Sequence, residues 1–244
     1  SEISESSANG QGYQCEDFTP ALSLGPVDNP NSSAQVLATM TIQRPALDKS
    51  LRLYFAGGEV LPKGTYVRVT SLDDYRAQNI DSREISDWRY TSAWFNIANM
   101  HALYVELVCG PFTTGNTIRI ARVCSGNDHG LNPICEECPT VEPAMSDRGW
   151  SARIFRQPGI CSAAMWSTHG CLITAYHCAH TVGDVAEFAV PPSTATGQWV
   201  HPDPADQFVI TGRVDSNGTG DWAVLTLGKS GGRTAFQRQI DPTL

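Results

Sequence analysis

The chain has 244 residues, of which 41% are hydrophobic, enough for one large domain or two of about 100 to 150 residues with their own cores. Seventeen basic against 25 acidic residues give a net charge of -8, which argues against nucleic acid or an anionic membrane surface as the main partner, since both need a basic patch. No apolar run approaches the roughly 18 residues that a membrane-spanning helix requires.

The N-terminal "SEISESSANGQG" is polar and Ser/Gly-rich and has neither the basic region nor the apolar region of a secretory signal, so residues 1–14 read as a tail. Short runs of alternating apolar character follow as far as about residue 124: "AQVLATMTI", "SLRLYFAG", "YVRVTSL", "TSAWFNI", "ALYVELV" and "TIRIARV". Pro, Gly, Asp and Asn separate them, and no segment carries a sustained helical period. The pattern predicts an all-β unit over 15–124, an antiparallel β-sandwich.

Residues 125–148, "SGNDHGLNPICEECPTVEPAMSDR" with its Gly, Pro and acidic residues, break the strand rhythm and read as a linker. Beyond it, over 149–244, strand-like runs resume in "SARIF", "CSAAMWST", "GCLITAYH", "VAEFAV", "QFVITGRV" and "DWAVLTL". In "LITAYHC" a strand delivers His177 to the point where it gives way to a loop, the place for an imidazole that exchanges protons with a substrate. Asp221 stands at the head of "DWAVLTL", whose Ala223, Leu225 and Leu227 alternate inward; a carboxylate so placed needs a hydrogen-bond donor, and the Nδ1 proton of His177 would serve.

Eight cysteines, at 15, 109, 124, 135, 138, 161, 171 and 178, form an even set without zinc-finger spacing and favour disulfides. Cys161 begins the strand before His177 and Cys178 follows His177, so a bridge between them would fasten the turn that aims the imidazole. Cys109 with Cys124 is the second expected pair, since each closes a neighbouring strand of the sandwich. Cys171 reads as a free thiol, while Cys15 and the C-x-x-C pair Cys135 and Cys138 are left open. Asn31 and Asn217 lie in N-x-S/T sequons and are glycosylation candidates. Together these features predict an extracellular chain with no cofactor and no metal.

"CSAAMWSTHGCLITAYHC" followed by "GDWAVLTL" resembles the histidine and aspartate motifs of trypsin-like serine proteases, including the family's bridge from the cysteine after the histidine to the preceding strand. The segments "LRLYFAGGEVLPKGTYVRV", "YVELVCG" and "IRIARVCSG" are similar to bacterial secreted proteases of the lysyl-endopeptidase-like group, which carry a β-sandwich ahead of the protease. The resemblance spans roughly residues 35–240. It implies a six-stranded first barrel, with His177 as general base and acid and Asp221 orienting it.

In that family the nucleophilic serine stands in a G-D-S-G-G motif on a second barrel, well over 50 residues past the aspartate, whereas 23 residues follow Asp221 here. "GKSGG" at 228–232 imitates the motif, but Ser230 is nine residues from Asp221 and Lys229 takes the place of the acidic residue, so a Gly-rich turn is the better reading. The expectation is therefore a protease half whose partner, the C-terminal half of the same precursor, supplies the serine. A non-catalytic protease homologue acting as a binding module is the alternative. His169 and His180 read as turn and loop residues, the paired glutamates in "ICEEC" as solvated, and Trp88 and Trp94 as sandwich core in preference to a carbohydrate platform.

Overall fold

A computed structural model describes residues 14–58, 60–126, 149–156, 159–178, 180–195 and 197–241. The expected tail lies outside these residues except for its last position, as do nearly all of the linker and, with it, Cys135 and Cys138.

Strands β1 (Gln14–Asn29), β2 (Gln35–Gln43), β3 (Ser50–Phe55), β4 (Tyr66–Ser71), β5 (Ala77–Ile80), β6 (Phe95–Asn96), β7 (Ala102–Cys109) and β8 (Thr113–Gly126) build two four-stranded sheets, ordered β1-β8-β3-β6 and β2-β7-β4-β5. The period of two places them: in β4, Val67 and Val69 are fully buried while Arg68 and Thr70 point the other way. Leu51, Leu53 and Val123 from one sheet meet Val67, Leu103 and Val105 from the other in one core, so the fold is an all-β sandwich.

Helix α1 (Ser82–Asp87), which the sequence reading missed, is capped by the Asp81 side chain on the backbone N–H groups of Arg83 and Glu84. Six residues are too few to print a helical period. Trp88 follows the helix and Trp94 lies just before β6; both are buried, leaving no open ring face for a sugar.

The second unit is a closed barrel of β9 (Ser151–Arg156), β10 (Gly159–Met165), β11 (Cys171–Thr174), β12 (Val185–Glu187), β13 (Gln207–Asp215) and β14 (Ala223–Leu227), ordered β10-β11-β14-β13-β12-β9 and shut by the β9–β10 pairing. Ile154, Leu172, Phe208, Ile210 and Leu225 fill it. A short helix, α2 (Ala235–Ile240), opens with a capping box between Thr234 and Gln237.

Sandwich and barrel are not two independent cores. Phe155, Val185 and Val209 of the barrel belong to the sandwich cluster. Trp94 packs edge-on to Phe155 at 5.4 Å between centroids, and its backbone N–H and C=O are both taken by the buried Gln207 amide, at 2.9 and 2.8 Å. Trp94 is thus sandwich core, as the sequence suggests, and it also reaches across to the barrel. Nearby, the backbone oxygen of His201 accepts from Arg76 Nη1 (2.9 Å) and Asn96 Nδ2 (3.0 Å), both sandwich residues. On another edge Glu84 Oε1 accepts from Gly231 N at 2.8 Å and Trp88 Nε1 at 3.0 Å; burial pushes this carboxyl above its ordinary range against those two donors.

The expected Cys109–Cys124 bridge is absent. Cys124 is bonded to Cys15, its register partner where β1 pairs with β8, and Cys109 is a buried free thiol. The physical reason is topology: β7, which ends in Cys109, lies in the opposite sheet from β8.

Candidate active site

Antiparallel pairing of β11 with β14 sets Thr174 opposite Ala223, so the residues that leave β11 and those that enter β14 meet at one edge of the barrel. His177, in a 3-10 turn over Tyr176–Cys178, and Asp221 meet there. His177 Nδ1 lies 2.8 Å from Asp221 Oδ2 and 3.0 Å from Oδ1, and the backbone N–H of His177 donates to Oδ1 at 3.0 Å.

These donors hold the Asp221 carboxyl below its ordinary value. The backbone N–H of His177 is the largest cause and its ring the next; slight desolvation opposes them, and the charge of His177 and the Tyr176 backbone add to the lowering. An ionised carboxylate only accepts hydrogen bonds, so the pair puts the proton on Nδ1 and leaves the Nε2 lone pair as the basic site. Both side chains are open, 73% exposed for His177 and 59% for Asp221, and Nε2 bonds to no described residue.

The turn is fastened from two sides. A disulfide joins Cys161 on β10 to Cys178 across a loop of 17 residues, the bridge expected from the sequence. On the other side Arg213, on β13, sends Nη1 to His180 O (2.5 Å) and Nη2 to Tyr176 O (3.4 Å), lies 5.3 Å over the Tyr176 ring, and is itself held by Asp215 at 2.7 Å. Arg213 was not singled out from sequence, where "GRVD" reads as an ordinary strand end; nothing local marks a guanidinium aimed 33 residues back.

Replacing both Cys161 and Cys178 by serine should cost about 2–4 kcal/mol of stability, the closure entropy of so short a loop. Urea titration of oxidised wild type against the double variant measures it, and a change below about 0.5 kcal/mol would show that Arg213 and the β11–β14 pairing hold the turn unaided.

The other candidates fall elsewhere. Ser230 is 6% exposed, and its hydroxyl donates to Pro204 O at 3.2 Å inside a turn closed by reciprocal Ser230 and Arg233 backbone bonds. It follows the far end of β14 from Asp221, so five strand residues, roughly 17 Å, separate it from the pair. His180 is buried beside the Cys161–Cys178 sulfurs, which their disulfide makes unavailable as thiolate ligands. Cys171 is free and half-buried, and His169 is exposed in the β10–β11 turn. Asn31 and Asn217 are exposed, as a glycan acceptor must be.

No family model matches the chain, and no curated protein matches it. The structure defines a class of arrangement: an all-β chain in which a closed barrel presents an imidazole–carboxylate pair at its rim, backed by a sandwich whose core takes in Phe155, Val185 and Val209 of the barrel.

Proposed function

We propose that this chain is the histidine- and aspartate-bearing half of a secreted, trypsin-like serine endopeptidase. The observation that carries the reading is the His177–Asp221 geometry: an oriented imidazole with Nδ1 bound to an ionised carboxylate and Nε2 open to a nucleophile. Asp221 fixes the tautomer and stabilises the imidazolium; His177 takes the serine proton, then returns it to the leaving amine. The serine comes from a polypeptide beyond residues 1–244, the C-terminal half of the same precursor, with its Oγ about 3 Å from His177 Nε2.

Exposed hydrophobics on the barrel support such a partner, among them Trp222 beside Asp221, Val214 on the adjoining strand and Ile160. Covering them in an obligate assembly would bury more than about 2,000 Å². Two disulfides among the described residues suit an oxidising, extracellular compartment.

The test is labelling of the protein from its natural source with a fluorophosphonate, followed by peptide mapping. The expected adduct lies on a serine outside residues 1–244 in material that contains this chain. An adduct on Ser230, or none in material whose partner half is intact, would overturn the assignment and leave the binding-module alternative.

A further inference from the structure

A cavity of about 350 Å³ opens at the seam between sandwich and barrel, on the side where α1 ends. Arg52 and Arg89 are among the residues that line it, with the partly exposed Tyr54 and, behind it, the buried Trp88, Trp94 and Phe155. Arg52 is 2% exposed, and its hydrogen bonds all go to neutral acceptors: Nε to Ser92 O (2.9 Å), Nη1 to Gly183 O (2.8 Å) and Nη2 to Thr91 Oγ1 (2.6 Å). Among the described residues it makes no ion pair, although a buried charge ordinarily has a counter-charge. Among the described residues of the lining the one carboxylate is that of Asp184, whose Oδ2 accepts from the backbone N–H of Thr181 at 2.7 Å.

Arg89 adds an independent sign. It occupies the position just past the cap of α1, where its N–H donates to Ser86 O (3.0 Å) and the N–H of Tyr90 to Ile85 O (2.7 Å), the bonding of a Schellman ending. That position wants glycine, because its backbone is left-handed; Arg89 has φ 54° and Tyr90, next to it, 61°. Two consecutive side-chain-bearing residues therefore hold a strained conformation at the mouth of the cavity, the kind of outlier that gathers at binding sites. The Arg89 guanidinium has no hydrogen-bond or ion-pair partner among the described residues.

We infer that this cavity is a binding site for a small carboxylate with a flat apolar body. The carboxylate supplies the counter-charge that Arg52 lacks, Arg89 closes on it from the mouth with a planar fork suited to two carboxylate oxygens, and the ring lies against Tyr54, the one aromatic side chain of the described lining that is not buried. The volume is at the lower end for ligand pockets, which suits a single-ring acid. Gly183, whose oxygen Arg52 holds, lies on the loop leading out of the His177 turn, so an occupied site would bear on the candidate active site. The binding itself does not depend on the protease reading.

Isothermal titration of the full chain with phenylacetate, neutral phenylacetamide and inorganic phosphate tests it. Phenylacetate should bind at least about tenfold more tightly than either of the other two. Arg89→Gly should weaken phenylacetate by about tenfold and leave phenylacetamide unchanged, while Tm rises by about 2 °C because glycine relieves the left-handed strain. That rise shows the variant to be folded, so weaker binding is a property of the site. Equal binding of acid and amide, phosphate as tight as phenylacetate, no heat from phenylacetate at about 10 mM, or an unchanged affinity in Arg89→Gly would each overturn the inference.

Discussion

On the proposed protease reading, replacing His177 by alanine in the assembled protein is expected to lower kcat by about 10⁵-fold or more without a comparable rise in KM, and Asp221→Asn to lower it by about 10⁴-fold. The two losses have different origins. Without the imidazole nothing accepts the serine proton, so the loss falls on the chemical step. In Asp221→Asn the ring is still present, but the 2.8 Å partner of Nδ1 is then an amide, whose NH₂ can turn the ring to the wrong tautomer and which carries no charge to stabilise the imidazolium. Stability should barely change in either variant, since both side chains are largely exposed. Because its donors hold the Asp221 carboxyl below the ordinary value, the acid side of the pH–rate profile should not report titration of Asp221 in the wild type. Steady-state kinetics on a peptide substrate decide: a loss smaller than about tenfold in His177→Ala would mean that the pair does no catalysis, while the fold would stand.

The parts of this chain that were legible in its sequence are those whose cause is local. Alternation in "YVRVT" and "DWAVLTL" told which faces are buried, and Ala223 and Leu225 point inward as that rhythm requires. The ends of two strands named His177 and Asp221, and adjacency to the turn named Cys178; Cys161 lies on the neighbouring strand, close enough to guess. What stayed hidden has long-range causes. Gln207 looks like the start of an ordinary strand, yet its amide serves the backbone of a residue 113 positions earlier. Cys15 could not be paired from sequence because its partner is set by the β1–β8 register, and the Cys109 guess failed because strands adjacent in sequence went to opposite sheets. Arg89 past the helix end breaks the local rule that would have placed glycine there, and such breaks carry information only once the turn itself is seen.

The largest stability loss should come from a residue that the sequence left unremarked, Glu187. Its side chain is fully buried, with Oε1 2.5 Å from Nδ1 of the equally buried His201 and Oε2 2.6 Å from Nη2 of Arg153. Arg153 Nη2 also donates to Val200 O at 2.9 Å, so the carboxylate anchors the segment before β13 through two neighbours at once. That segment presents the His201 backbone oxygen to Arg76 and Asn96, and its ring stacks 5.7 Å from Trp94. Glu187→Ala would leave the Arg153 charge poorly compensated beside the core and loosen the seam between barrel and sandwich. The expected cost is about 3–5 kcal/mol, as for breaking other buried ion pairs from one side. Glu187→Gln keeps the shape and removes the charge, and separates packing from electrostatics. Burial pushes the Glu187 carboxyl upward, but Arg153 and His201 outweigh it and the net direction is down from 4.5. A carboxyl with a lowered folded value contributes stability that is fully present above its unfolded value, near pH 4.5, and is lost as the pH falls through the folded one. Wild type should therefore lose stability between pH 4.5 and lower values more steeply than Glu187→Gln, which has no such proton to take up. Urea titrations at neutral pH and at about pH 3.5 measure both effects. Should Glu187→Ala unfold within about 0.5 kcal/mol of wild type, the other contacts between barrel and sandwich hold the seam without it, and equal acid slopes in wild type and Glu187→Gln would show that the carboxylate is not the charge that locks it.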